Sequence, residues 1–144
     1  MIRILKAGKS DIRTALNILS KQRISEERRW NIESIFDSML SYNNLTHNIY
    51  KATIDNKVAG FIEFRKKPKN GTLWISNMAI LPQYQRKGIG RILVGCVIEY
   101  AKLLGNVKKV RLYPWEEEFF RKLGFRRYGY DVVYKLNPLF PFVI

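Results

Sequence analysis

Cysteine and histidine are almost missing from this chain. Cys96 is the single cysteine and His47 the single histidine, which excludes an intrachain disulfide, a cysteine-built zinc site and a histidine-rich metal centre. No metal is expected in the site. Acids are scarce as well: 12 Asp and Glu stand against 26 Lys and Arg, a formal net charge of +14. A surface that basic calls for an anionic partner. Long apolar runs are also lacking. None approaches the roughly 20 residues of a membrane helix, and the N-terminus opens as a short alternating segment unlike a secretory leader. The expected location is the cytoplasm, with no membrane contact. The chain closes on Phe140, Pro141, Phe142, Val143 and Ile144, a short apolar stretch that suits a docking segment or a dimer contact and leaves monomer or homodimer open.

What is present describes a globular unit. Hydrophobic residues at 47% and aromatics at 13% argue against disorder. The 144 residues fit one domain, 1–144, without repeat, linker or composition break.

Residues 2–5 read as a strand. Ser10 and Asp11 cap a helix that carries Ile12, Ala15, Leu16 and Leu19 on one face. A second helix starts at Ser25, with Glu26 and Glu27 at its positive end and Ile32, Ile35, Phe36, Met39 and Leu40 as its stripe. Beyond a loop at Asn43 and Asn44, a turn at Asp55, Asn56 and Lys57 joins strands at 47–54 and 58–66. Asn70 and Gly71 turn the chain into a third strand at 72–80. These three strands are expected to be antiparallel. A long amphipathic helix follows, with Ile89, Ile92, Leu93, Cys96, Val97, Tyr100, Ala101 and Leu104 on one face and Gly105 as its stop. Residues 107–113 read as a strand, Pro114 as a helix start, Gly124 as that helix's end, and 125–136 as a closing strand or hairpin.

The chemistry concentrates where the strand ending at Leu81 and Pro82 feeds the long helix, through Gln85, Arg86, Lys87, Gly88, Ile89, Gly90 and Arg91. A helix N-terminus leaves backbone N–H groups unpaired and carries positive partial charge, so a phosphate placed there gains several donors at once. Gly88 and Gly90 remove side chains that would hold an anion away, and Arg86, Lys87 and Arg91 add full charges. A plain turn would use the same glycines; the ligand reading expects a pyrophosphate. Gly-Lys-Ser/Thr is absent, as is the three-glycine dinucleotide fingerprint, so nucleotide hydrolysis and hydride transfer lose support.

Gln85, Arg86, Lys87, Gly88, Ile89, Gly90 matches the Gln/Arg-x-x-Gly-x-Gly/Ala motif of the GNAT superfamily of acetyl-CoA-dependent N-acetyltransferases. Asn77, Met78, Ala79, Ile80, Leu81, Pro82 resembles the strand before that motif. Phe119, Phe120, Arg121, Lys122, Leu123, Gly124, Phe125 is similar to the second signature, Phe-Tyr-Glu-Lys-Leu-Gly-Phe. The two lie in the family's order, and the 77–91 block looks most like the ribosomal-protein N-terminal acetyltransferases. The resemblance implies an α/β (α+β) fold, a GNAT-like mixed, mostly antiparallel sheet splayed into a V between strands 4 and 5, with helices on both faces. It implies acetyl-CoA as cosubstrate in that V. Backbone groups of Met78, Ala79 and Ile80 would pair with the pantetheine arm, amides of Gln85, Arg86, Lys87, Gly88, Ile89, Gly90 and Arg91 would hold the pyrophosphate, and Phe120 would join the cofactor-binding set. An N–H near Ile80 would polarise the thioester carbonyl. The amine would attack directly, with no covalent cysteine.

The chain departs from that family in two places. The glutamate often found on the fourth or fifth strand as general base is missing from Trp74, Ile75, Ser76, Asn77 and from Val110, Arg111, Leu112, Tyr113. Phe120 replaces the tyrosine that commonly protonates the leaving thiolate. Glu63, alternating with Phe61 and Arg65 on one face, is the candidate base, the alternative being a solvated partner of Arg65 or a lysine. Tyr113, at the end of the fifth strand, is the candidate acid, the alternative being a half-buried aromatic plug. Tyr128, Tyr130 and Tyr134 can reach the same cleft from the last strands. His47 reads as structural and Cys96 as a small apolar neighbour. An amine of lowered pKa can also lose its proton to water without a protein base.

Further cations cluster at Arg65, Lys66, Lys67 and Lys69, at Lys108, Lys109 and Arg111, and at Arg121, Lys122, Arg126 and Arg127. They are solvated faces, or surfaces for acidic peptide or nucleic acid, the latter without a recognition motif to support it. A positive field repels polyamines and aminoglycosides. The expected function is therefore an N-acetyltransferase acting on a protein or peptide α-amine or lysine. The alternatives are a small-molecule amine acetyltransferase and a CoA-binding or nucleic-acid-associated module with little turnover. Specificity is expected from residues 22–30 and the last strands.

Overall fold

The computed structural model describes residues 1–42, 45–113 and 115–137. Along the chain run β1 (Ile2–Lys6), α1 (Lys9–Ser20), α2 (Glu26–Ser41), β2 (His47–Ile54), β3 (Lys57–Arg65), β4 (Thr72–Ile80), α3 (Ile89–Leu104), β5 (Lys109–Leu112), α4 (Glu117–Lys122), β6 (Arg126–Tyr128) and β7 (Asp131–Lys135). The loop at Asn43 and Asn44, the helix start at Pro114 and the apolar C-terminal segment lie outside the described residues.

The strands form one mixed sheet in the order β1-β2-β3-β4-β5-β7-β6. Only β4 and β5 pair in parallel. Two turns hold β2, β3 and β4 together: Asp55 and Asn56 have φ of 49° and 68°, Asn70 and Gly71 of 54° and 69°. Positive φ at both central residues matches the right-handed twist of the strands that follow. One face of the sheet is covered by α1 and α2, where Ile12, Leu19, Phe36 and Met39 meet Ile49, Phe61 and Leu81. The other is covered by α3 and α4, where Leu93, Val97 and Phe120 meet Ile62, Phe64, Leu73 and Val110. Phe61 and Ile62 are neighbours in sequence and serve opposite cores, because successive strand side chains alternate.

Three boundaries differ from expectation. Gly8, not Ser10 or Asp11, caps α1; Asp11 sits in the first turn and its carboxylate accepts the Gly8 N–H at 2.9 Å. Ser25 does cap α2, its hydroxyl accepting the Arg28 N–H at 3.2 Å. The buried side of α3 includes Val94 and Ile98, while Leu104 is exposed, since a helix lying flat on a sheet needs a broader apolar stripe than one end of the pattern suggests. β5 covers four residues, and Tyr113 lies beyond the last rung of its ladder.

The V arises in β4. Its parallel rungs to β5 are Thr72↔Lys109, Leu73↔Val110 and Trp74↔Arg111, yet β4 continues to Ile80. Against β3 the register jumps from Phe64↔Ile75 to Glu63↔Asn77, which leaves Ser76 as an extra residue. Such a bulge bends its strand, and it falls where β4 leaves β5. Met78, Ala79 and Ile80 thus keep β3 on one edge and present the other to the opening. Gly60 permits this approach. A Cβ there would lie 2.8 Å from the Ala79 carbonyl oxygen and 2.5 Å from Ile80 Cδ1. Gly60→Ala is expected to displace the end of β4 and to destabilise the protein by about 1–3 kcal/mol, read as a lower midpoint in thermal unfolding; an unchanged midpoint contradicts the packing described.

Candidate active site

Beyond β4 the chain makes one turn of 3-10 helix, Pro82–Tyr84, and then lies against the α1–α2 corner. Arg29 builds that corner, donating to the carbonyls of Leu19 at 2.7 Å and Gln22 at 2.5 Å. Gln85 ties three elements together: its amide nitrogen donates to the Ile80 carbonyl at 3.0 Å, and its amide oxygen accepts from Arg28 at 2.7 Å. The Gln22 amide also donates to Gln83. The side chain of Gln85 is therefore a brace for the loop. Arg86 and Gly88 take φ of 63° and 81°, and this pair of left-handed residues turns the backbone into α3. The first bond of that helix end runs from the Ile92 N–H to the Gly88 carbonyl at 3.2 Å, so the amides of Ile89, Gly90 and Arg91 have no acceptor within the helix.

These groups border a cavity of about 690 Å³, within the size range of small-molecule sites. Met78, Ala79, Ile80, Gln85, Arg86, Gly88, Ile89, Gly90 and Arg91 all line it. Lys87 does not; it is exposed, with its ammonium 5.9 Å from the Tyr84 ring centre. Phe120 does not either. It is fully buried against Trp115, Phe119 and Phe125, with ring centres 5.0–5.3 Å apart, and so packs in the core behind the cavity wall. Phe119, one residue earlier on α4, lines the cavity together with Trp115 and Glu116. The opposite wall comes from α2, through Arg28, Asn31, Ile32 and Ile35. Their spacing of three and four marks one helical face, in which Ile32 and Ile35 are shared with the core stripe and Arg28 falls within the 22–30 segment expected to shape specificity.

Glu63 is not solvated and is not a partner of Arg65. It is fully buried on the α1–α2 face, one strand pair back from Phe61↔Ala79. One carboxylate oxygen accepts from the Asn77 amide at 2.9 Å. The other has no hydrogen-bond partner. Burial pushes its pKa up to about 7, against the opposing pull of the Asn77 bond and the Lys9 charge. Such a carboxyl can change protonation near neutrality without leaving the interior.

Tyr113 is not a half-buried plug. It is 71% exposed, its ring 5.4 Å from that of Trp74 at the vertex of the V, and it lies outside the cavity lining. Tyr84 is the tyrosine that does line the cavity. Tyr134 packs on Phe125, and Tyr128 sits beneath Lys135. His47 stacks on Tyr42 with ring centres 4.1 Å apart; burial, and then the Arg65 charge, lower its pKa. Cys96 is half-buried on α3 and burial raises its thiol pKa, the opposite of nucleophile activation. No cluster of three or more metal-ligating side chains exists among the described residues, and no helix among them is long and apolar enough to cross a membrane.

Solved structures share this architecture. A PaiA N-acetyltransferase from Thermoplasma acidophilum, determined with coenzyme A, superposes with a TM-score of 0.66 at 22% identity, over 92% of this chain and 96% of that one. A ribosomal-protein alanine N-acetyltransferase from Escherichia coli gives 0.67 at 19%, over 92% and 90%. A spermidine N-acetyltransferase variant from Vibrio cholerae gives 0.63 at 16%, over 93% of each. Identities this low carry the fold and no acceptor. No curated protein matches the sequence significantly. The model of the Acetyltransferase (GNAT) family matches residues 12–125, a span that holds the α2 wall, the β4 opening, the glycine loop and the 119–125 run, and this chain belongs to that family.

Proposed function

We propose that the protein moves the acetyl group of acetyl-CoA to a primary amine of a protein or peptide, an α-amine or a lysine, by direct attack. The observation that carries this reading is the edge of β4 at Met78, Ala79 and Ile80 that β5 leaves without a partner strand, its Ile80 carbonyl held by the Gln85 side chain, continuous with the free amides at the start of α3. An extended pantetheine arm adds to such an edge as a strand would, and the pyrophosphate then meets the amides of Ile89, Gly90 and Arg91 with the Arg86 and Arg91 charges beside them. A β4 N–H near Ile80 polarises the thioester carbonyl. The deprotonated amine adds to the carbonyl carbon, the tetrahedral oxyanion collapses with loss of the second nitrogen proton, the C–S bond breaks, and the thiolate takes up a proton, leaving a neutral amide and CoA thiol.

Glu63 is the proposed base because its raised pKa suits acceptance of a proton near pH 7; it is sealed beneath α1 and α2 and does not line the cavity, so this role requires water to enter beside β4 and relay the ammonium proton. Tyr113 at the vertex of the V is the proposed acid, with Tyr84 as the rival because it lines the cavity. Tyr113→Phe is expected to lower kcat about tenfold or more while leaving the KM for acetyl-CoA unchanged; the same loss in Tyr84→Phe alone transfers the role to Tyr84. The net charge of +14 disfavours a free polycation as acceptor.

The activity itself is tested by incubating the protein with acetyl-CoA and peptides bearing either a free α-amine or only a lysine, with spermidine as the small-molecule arm, while thiol release is followed. Faster release with peptides than with spermidine supports the proposal. Turnover of spermidine alone makes it a small-amine acetyltransferase, and binding without turnover across the panel makes it a CoA-binding module. Failure to bind acetyl-CoA overturns the site.

A further inference from the structure

The positive charge is not spread evenly over the molecule. β2 and β4 begin, β3 ends, β5 begins and β7 ends at one edge of the sheet. The Lys66 N–H donates to the Thr46 carbonyl at 2.8 Å, the Lys108 N–H to the Gly71 carbonyl at 2.8 Å, and the Leu136 N–H to the Lys108 carbonyl at 2.9 Å. The segments that meet there, 45–48, 65–76, 100–111 and 132–137, contain nine Lys or Arg and no Asp or Glu. Lys102 is paired with Glu99 and Arg111 with Asp131. The other seven, Arg65, Lys66, Lys67, Lys69, Lys108, Lys109 and Lys135, take part in none of the ion pairs among the described residues.

Two features show that this edge is more than a solvated face. Lys109 and Lys135 are direct cross-strand partners on β5 and β7, and like charges placed opposite one another destabilise a sheet. A polyanion laid across them turns that repulsion into attraction. The coenzyme does not serve this purpose, since the 16 residues of α3 hold the edge about 24 Å from the glycine loop. Beside the cations, Tyr42 stacks on His47 with ring centres 4.1 Å apart, and the Tyr42 ring is partly exposed.

We propose that this edge docks the phosphodiester backbone of a nucleic-acid strand. Six of the seven cations outside ion pairs are lysines, point charges that can follow a line of phosphates, and the feature that favours a nucleic-acid strand over an acidic peptide is the aromatic surface beside them. Neighbouring strands about 4.8 Å apart carry Lys109 and Lys135 side by side, a separation of the same order as the charge spacing of a nucleic-acid strand. The Tyr42 and His47 pair adds a surface on which a base can stack, the usual companion of a basic groove in single-strand binders.

The test is fluorescence anisotropy of the full chain with labelled poly-uridine at rising KCl, with poly-glutamate of equal length and anionic vesicles as the other arms. The triple variant Lys67→Gln, Lys69→Gln, Lys108→Gln is expected to bind poly-uridine about tenfold or more weakly and to lose roughly two units from the slope of log affinity against log salt, about 0.7 per phosphate contact. Acetyl-CoA affinity should stay unchanged, which shows that the variant is folded, and the corresponding Lys→Arg triple should restore binding. Unchanged affinity and slope in the glutamine variant, no binding of poly-uridine by the native chain, or equal binding of poly-glutamate or vesicles overturns the proposal.

Discussion

Glu63→Gln is expected to lower kcat by about 10²–10⁴, the usual contribution of a positioned general base, and to abolish the rise of kcat with pH that a base of pKa about 7 imposes. Glutamine keeps the shape and can keep the bond to Asn77, but it cannot take a proton. The same substitution has a stability readout. The native carboxyl is pushed up to about 7 from an ordinary value of 4.5, chiefly by burial. Below pH 4.5 folded and unfolded chains both hold the proton. Between 4.5 and about 7 only the folded chain does, so native stability falls as pH rises through that window, by about 3 kcal/mol over its full width. Glu63→Gln should remove this slope in denaturant unfolding measured across the window. Loss of the slope with kcat intact would leave deprotonation of the amine to water and make Glu63 a structural carboxyl.

Gly90→Leu is expected to raise the KM for acetyl-CoA by roughly tenfold or more, with a stability loss of about 1–3 kcal/mol because Phe119 must give way. Gly90 lies in the first turn of α3, where leucine is the better helix former. A Cβ at that position already meets Phe119 Cζ at 3.1 Å and Met78 Cε at 3.4 Å, both side chains of the cavity wall. The leucine side chain therefore fills the space between the β4 edge and α4 without straining the backbone. Gly88→Val acts differently. Its φ of 81° is a left-handed conformation that costs an L-residue about 1–2 kcal/mol, so thermal stability and coenzyme affinity should fall together. Isothermal titration with acetyl-CoA and thermal melts of both variants separate the two mechanisms. Normal affinity in Gly90→Leu removes the glycine loop from the site.

Much of the site was legible because its parts are local. Gly88, Gly90 and the cations beside them are neighbours in sequence, and a loop entering a helix exposes amides wherever it occurs. The turn residues Asp55, Asn56, Asn70 and Gly71 declared their positive φ through residue type alone. Phe119 and Phe120 were harder. In a six-residue helix two adjacent aromatics can exchange core and cleft roles with a modest rotation, and only packing against Trp115 and Phe125 sends Phe120 inward. On α2, Ile32 and Ile35 belong to the core stripe that their helical spacing implies and also border the cavity, and apolar spacing alone does not distinguish the two roles.

By itself the sequence determined the order and type of nearly every element, the glycine loop with its charges and the excess of cations. These are properties of residue type and short-range spacing, and they survive in any arrangement of the chain. Only the tertiary structure decided that Ser76 bulges β4 away from β5, that Glu63 is sealed beneath α1 and α2, that Tyr113 stands in solvent, and that lysines from three separate segments meet at one edge. Each of those depends on contacts between residues far apart in sequence, where burial and register are set by the partner strand or helix and not by the residue itself.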